Sequence, residues 1–355
     1  MATMDIFNND AFSVTSLTGM IAKADYQPGL LGQLGIYTKE PVRTRNIFVD
    51  RVDGRLKLIS TSADGAPPEP LEPDTRDAVS MRTTRLTKRF TLYAYELDGI
   101  RASGTESELE SVQREYAKRS GRLRKDMELT HEFHRLGALQ GKLLDADGTT
   151  VIRDYFAEFG VTEAPAINFA LNLDTTGVRQ KIATMVRDMA RKSRGTFTPM
   201  TQVHALVGDA FYDKLIQHPE VERTYLNWAA AADLRDGLNV FGSFRYGGVT
   251  WHNYRGTDDN TTVAVAPDEA KFFPVGADGV FVEAMAPLET LDYVGTPGQE
   301  VYMMNIPDRD RNMWTKGEIY SYPLYICQQP DVLRREATRV RHGPLRHRTT
   351  GWATG

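Results

Sequence analysis

The chain is 355 residues long, 41% hydrophobic, 25% charged and of net charge −4, so it can bury a sizeable core and is neither a disordered polypeptide nor a protein built mainly to neutralise phosphates. No apolar run reaches the length of a membrane span, the polar, acidic stretch from Met1 to Asp10 does not read as a signal peptide, and a lone cysteine, Cys327, excludes an internal disulfide. Manufacture and use in a cytosol is the expectation.

Residues 1–40 lack the pattern of a compact unit. Phe7, Phe12, Val14, Leu17 and Ile21 are apolar, and Ser13, Thr15 or Ser16 can cap a short helix ending near Ala24 before the Pro28-Gly29 break. These side chains need a partner surface, either the chain's own body or a neighbouring subunit. Residues 42–60 read as two strands, with Arg43, Arg45 and Asp50 interleaved with Ile47 and Val49 and an Asp53-Gly54 turn between Val52 and Leu56. Residues 82–97 read as another strand or pair. Between them, Ser60 to Ser80 holds Pro67, Pro68, Pro70 and Pro73, and is expected to be the tip of a long two-stranded arm. An isolated two-stranded arm is marginal in water and needs something to lie on.

The clearest helix is expected from about Thr105 to Leu139, opened by Ser103 or Thr105 with Glu106 and Glu108. Leu109, Val112, Tyr116, Leu123 and Met127 form its stripe, with Phe133 and Leu136 slightly shifted. At 1.5 Å per residue it is on the order of 50 Å long, and a single stripe implies that it lies across a sheet. An Asp-Gly turn joins a hairpin over residues 142–152, and a second amphipathic helix carries Val178, Ile182, Met185 and Met189 before Gly195. Val203–Val207 reads as a buried strand, Gly208-Asp209 as the start of a helix with Phe211 and Leu215, and Tyr246-Gly247-Gly248-Val249 as a hairpin. Glu318 to Cys327 ends the fold, with the Tyr322-Pro-Leu-Tyr-Ile-Cys327 run reading as a buried strand. Beyond Asp331 the tail is basic, with Arg334, Arg335, Arg339, Arg341, Arg346 and Arg348, and reads as disordered. Contact with DNA or a partner is the lesser reading of it.

No catalytic, cofactor or metal motif emerges. His131-Glu132-Phe133-His134 has its histidines three apart where a zinc-protease helix needs four, and reads as a solvated helix face. Asp308-Arg-Asp310-Arg-Asn312 lacks the glycine and the chelating glutamate of a calcium loop. Asp258-Asp259 reads as a solvated loop, and Cys327 in an apolar strand is a poor nucleophile.

An N-terminal arm, a β arm, a spine-like helix, a second helix, an α/β segment and a return strand together resemble the Hong Kong 97-type α+β shell fold of tailed-phage capsids. Several stretches more specifically resemble the lambda-type major capsid protein E family. These are Asp5-Ile-Phe-Asn-Asn-Asp-Ala-Phe-Ser-Val-Thr-Ser-Leu-Thr, Tyr26-Gln-Pro-Gly-Leu-Leu-Gly, Leu144-Asp-Ala-Asp-Gly, Asp154-Tyr-Phe-Ala-Glu-Phe-Gly, Phe281-Val-Glu-Ala-Met-Ala-Pro, Ser321-Tyr-Pro-Leu-Tyr-Ile-Cys and Pro330-Asp-Val-Leu. The likeness spans about Asp5 to Leu333, and the tail after Ala337 departs from the family pattern.

The resemblance implies a non-enzymatic major capsid protein that assembles in the host bacterial cytoplasm. It would form pentamers and hexamers of an icosahedral virion shell around double-stranded DNA, without a cofactor. Scaffolding and portal proteins, and in many such shells a decoration protein, are the implied partners. It further implies an N-terminal arm over residues 1–41, an extended loop over 42–97, a peripheral domain over 98–198, a mostly axial domain over 199–291, return strands over 292–337 and a tail over 338–355. Candidate inter-subunit contacts are Phe7, Phe12, Leu17, Tyr26 and Leu30 in the arm, and Leu58, Pro67, Pro68, Leu71, Arg82 and Arg85 in the loop. The alternatives are a nanocompartment shell of the same fold and, less well supported, an enzyme of unrecognised class.

Overall fold

The structure is a computed structural model and describes residues 12–22, 29–52, 76–98, 108–226, 242–257 and 263–337. Helix α1 (Val14–Ala22) starts where the Ser13 hydroxyl accepts from the Ser16 N–H at 3.3 Å. Phe12 and Leu17 are buried against the long helix α4 (Glu108–Leu139), with the Phe12 ring edge-on to Tyr116 at 5.4 Å. The arm's apolar side chains are thus used within the subunit at these two positions. After α2 (Leu30–Gln33), strand β1 (Thr38–Pro41) runs parallel to β11 (Phe281–Met285), which pairs in turn with β14 (Pro323–Cys327).

The 32 residues of α4 span about 48 Å. As far as Met127 it matches the expected stripe: Val112, Tyr116, Leu123 and Met127 lie in one core with Leu92, Met303 and Ile319. Leu109 falls on the same helix, but its side chain is outside the described residues. The sheet beneath has the order β12 (Tyr302–Pro307), β13 (Trp314–Ser321), β4 (Leu86–Tyr93) and is antiparallel. Residues 86–93, expected within the arm, therefore belong to the body, because Leu92 and Phe90 find their apolar partners under α4. From His131 to Leu139, however, α4 is buried nearly all round, so the single-stripe expectation fails there.

The arm itself pairs β2 (Asn46–Val52) with β3 (Arg76–Arg82). Part of the proline-containing stretch is thus strand, paired with β2, while the expected Asp53-Gly54 turn lies outside the described residues. The register explains the choice: Ile47 faces Met81 and Val49 faces Val79, placing four apolar side chains on one face against the body core. Hairpin β5 (Lys142–Leu144) and β6 (Val151–Asp154) supports this root, with Arg153 Nη2 donating to the Arg82 carbonyl at 3.0 Å. Short helices α3 (Ala94–Asp98) and α5 (Tyr155–Glu158) follow β4 and β6.

A second core gathers on helix α6 (Val178–Lys192), whose Val178, Ile182, Met185 and Met189 are all buried. They pack on a five-stranded sheet of order β15 (Arg334–Ala337), β10 (Glu269–Val275), β7 (Gln202–Val207), β9 (Val249–Asn253), β8 (Ser243–Tyr246), around Phe169, Phe211, Trp251 and Phe272. Helices α7 (Asp209–Gln217) and α8 (Pro219–Leu226) flank it. Gly247 and Gly248, at φ +64° and +87°, make the tight β8–β9 turn that only residues tolerant of positive φ allow. Strand β15 corrects the reading of everything beyond Asp331 as disordered. Arg334 is buried, donates to the carbonyls of Asp331 and Leu333, and pairs with Asp188 on α6. Residues 338–355 lie outside the described residues.

Candidate functional site

Among the described residues, nothing covers one face of the arm hairpin. Phe48 on β2 is 70% exposed, opposite Ser80, and Arg82 shares that face. Arg85, just past β3, is held within the subunit: its Nε and Nη2 donate to Glu289 Oε1 at 3.0 and 2.7 Å. Leu30 is half-buried against the body core. Phe7, Tyr26, Leu58, Pro67, Pro68 and Leu71 lie outside the described residues. Further large apolar side chains reach solvent at Tyr95, Met200, Leu291 and Val294.

Beneath the hairpin, the far half of α4 carries a polar seam where a solvated face was expected. His131, Glu132, His134 and Arg135 are all at most 4% exposed. Glu132 accepts from the N–H groups of Leu31 at 2.9 Å and Gly32 at 3.3 Å and from the Tyr254 hydroxyl at 3.3 Å. Arg135 lies between carboxylates, 3.7 Å from Glu132 and 3.8 Å from Glu283 on β11. Its guanidinium sits 5.2 Å over the Tyr325 ring, and the Tyr325 hydroxyl meets His131 Nδ1 at 2.5 Å. Burial pushes the carboxyls of Glu132 and Glu283 up and holds His131 well below its ordinary value, with Arg135 adding to the effect on His131. The seam is buried because β11 and β14 meet α4 with polar groups of their own, Glu283 and Tyr325, so that each charge finds a partner. Gly29 is needed at this point: a Cβ there would collide with the Glu132 side chain.

Such a seam ties α2, α4, β11 and β14 together. The described residues include no group of three or more His, Cys, Asp or Glu placed to hold a metal ion. Asp308, the start of the calcium-like run, instead accepts from the N–H groups of Asp310, Arg311 and Met313 and shapes the β12–β13 turn. Cys327 is fully buried, and burial pushes its thiol well above the usual range. Among the described residues, no helix is long and apolar enough to cross a membrane. Phe48 and Glu289 do not stand out in the sequence, whereas Arg45 does so only as a strand residue and Glu132 only within a run that reads as a solvated face. The alternation of Phe48 and Asp50 with Ile47 and Val49 is the signal that could have marked Phe48 as outward-facing.

Comparison with known proteins accounts for this architecture. The model of the family described as "Phage major capsid protein E" matches residues 13–337. The major capsid protein of Salmonella phage Felix O1 is 26% identical over 352 residues, covering 91% of this chain and 95% of that protein. That of Pseudomonas phage KPP10 is 27% identical over 318 residues, covering 84% and 89%. Among solved structures, a putative capsid protein of an E. coli CFT073 prophage superposes with a TM-score of 0.55 at 14% identity, covering 91% of this chain and 98% of that one. A phage-related protein of Bordetella bronchiseptica RB50 gives 0.51 at 11% identity, covering 92% and 97%. The structural likeness shows the Hong Kong 97-type fold, and the named relatives do not favour the nanocompartment alternative. The chain belongs to the phage major capsid protein E family and is a shell subunit of a tailed-phage virion.

Proposed function

We propose that this subunit acts without catalysis, assembling with copies of itself into pentamers and hexamers of an icosahedral shell that encloses double-stranded DNA. The observation that carries the reading is the hairpin β2–β3. It has two strands, one face seated on the body, and a large apolar side chain, Phe48, on the other. A two-stranded sheet with an open face is completed by a further layer, and a neighbouring subunit supplies it. In this reading residues 1–41 are the N-terminal arm and the hairpin is the extended loop. The core under α4 is the peripheral domain. The unit from α6 to β10 is the axial domain, and β11 already returns to the body sheet. Arg82 and the arm residues Phe7 and Tyr26 then contact neighbours. Scaffolding, portal and decoration proteins are the assembly partners, and the enclosed DNA is held without sequence specificity.

The test is expression of the chain alone and with a candidate scaffolding protein, followed by negative-stain microscopy and sedimentation. Closed shells, capsomers or polymorphic sheets are expected. A monodisperse small oligomer under both conditions, at every concentration reached, rejects the reading.

A further inference from the structure

The hairpin joins the body through two short segments, and one carboxylate touches both. Arg45 directly precedes β2 and Arg85 lies three residues beyond β3. Arg45 Nη2 donates to Glu289 Oε2 at 3.0 Å, while the Arg85 fork takes Oε1. Each guanidinium also lies over a tyrosine ring, Arg45 over Tyr322 at 4.4 Å and Arg85 over Tyr320 at 5.4 Å. Glu289 sits on a loop that is itself anchored, through Ala286 N–H to the Tyr322 carbonyl at 3.0 Å and Gly298 N–H to the Val42 carbonyl at 2.9 Å. Each root segment also has a backbone tie to the body sheet, Val42 N–H to the Met285 carbonyl at 2.9 Å and Thr84 N–H to the Pro323 carbonyl at 3.0 Å. The three charged side chains are 28%, 47% and 36% exposed for Arg45, Arg85 and Glu289, open enough for salt to screen them.

We propose that Glu289 is an ionic latch that clamps both roots of the hairpin and sets the direction in which it leaves the body, so that weakening the latch lets the root lift. The apolar inner face, Val49 and Met81, opposes the same motion, so the lifted state is rare and is read through amide exchange. In Glu289→Gln, exchange of the Thr84 amide rises about 5- to 30-fold while interior amides of α6 keep their native rates, because only local opening is affected. Raising NaCl from about 0.05 to 0.5 M accelerates Thr84 exchange in the native chain and has little effect in Glu289→Gln. The double variant Arg45→Gln with Arg85→Gln repeats the Glu289→Gln result and serves if that variant does not fold. Unchanged Thr84 exchange, an equal rise in α6, or a salt effect undiminished by the substitutions overturns the latch. The latch's consequence for assembly rests on the hairpin contacting a neighbour. Exchange in the full-length subunit tests the latch alone, whereas shell formation by a Phe48 variant tests that reading.

Discussion

The Glu132 carboxylate reaches back 101 residues along the chain to accept the Leu31 N–H at 2.9 Å. This contact pins the start of α2, and hence the entry of β1, to the buried half of α4. Removing it in Glu132→Ala strands two backbone donors and takes one of the carboxylates from Arg135. The expected loss is about 3–5 kcal/mol in urea unfolding, as for other broken buried pairs. Glu132→Gln, which keeps an acceptor oxygen, is expected to lose less.

Stability should fall on mild acidification. Burial holds His134 and His252 at about 4, below the ordinary 6.5. Because the folded value is the lower one, their stabilisation is complete above 6.5 and is lost as the pH drops from 6.5 towards 4. Each contributes up to about 3 kcal/mol. Glu132 and Glu283, raised by burial, act with the opposite sign nearer the carboxylate range. Denaturation midpoints measured across this window should show proton uptake on unfolding, and His252→Asn should flatten the slope.

Phe48→Asp separates folding from assembly. With the side chain 70% exposed, subunit stability should change by no more than about 0.5 kcal/mol. Shell formation, followed by sedimentation, should be lost or strongly delayed.

Met185→Ala on α6 removes a side chain that is 2% exposed in the second core, and about 2–5 kcal/mol of stability with it. Cooperative unfolding curves of the purified subunit measure this directly.

Cys327 should ignore thiol reagents at neutral pH until the subunit unfolds. It is inaccessible, and burial keeps the thiol protonated. Release of thionitrobenzoate from Ellman's reagent, with and without denaturant, gives the answer.

Much of the fold could be read along the chain where local chemistry and tertiary packing agree. The α6 stripe and the Gly247-Gly248 turn are of that kind, as is the front half of α4. The polar seam was misread because His131 to Arg135 carry the composition of a solvated face. Their partners, Glu283 and Tyr325, lie some 150 to 190 residues away. The hairpin register was hidden for a related reason: Val49 pairs with Val79, beyond a proline-containing stretch that draws the eye to the nearer Asp53-Gly54. Arg334 looked like the start of a loose basic tail because Asp188, which fixes it, belongs to a different element.

Strands β13 and β14 are separated by Tyr322 alone, yet they belong to different sheets. Nothing at this junction can stretch, since one extended residue spans only about 3.3 Å. A pull on β4, which pairs with β13 along its full length, is therefore delivered to β14 and β11 as if along a taut cord. Stress that assembly into a shell places on one sheet would be shared by the other before either begins to unzip.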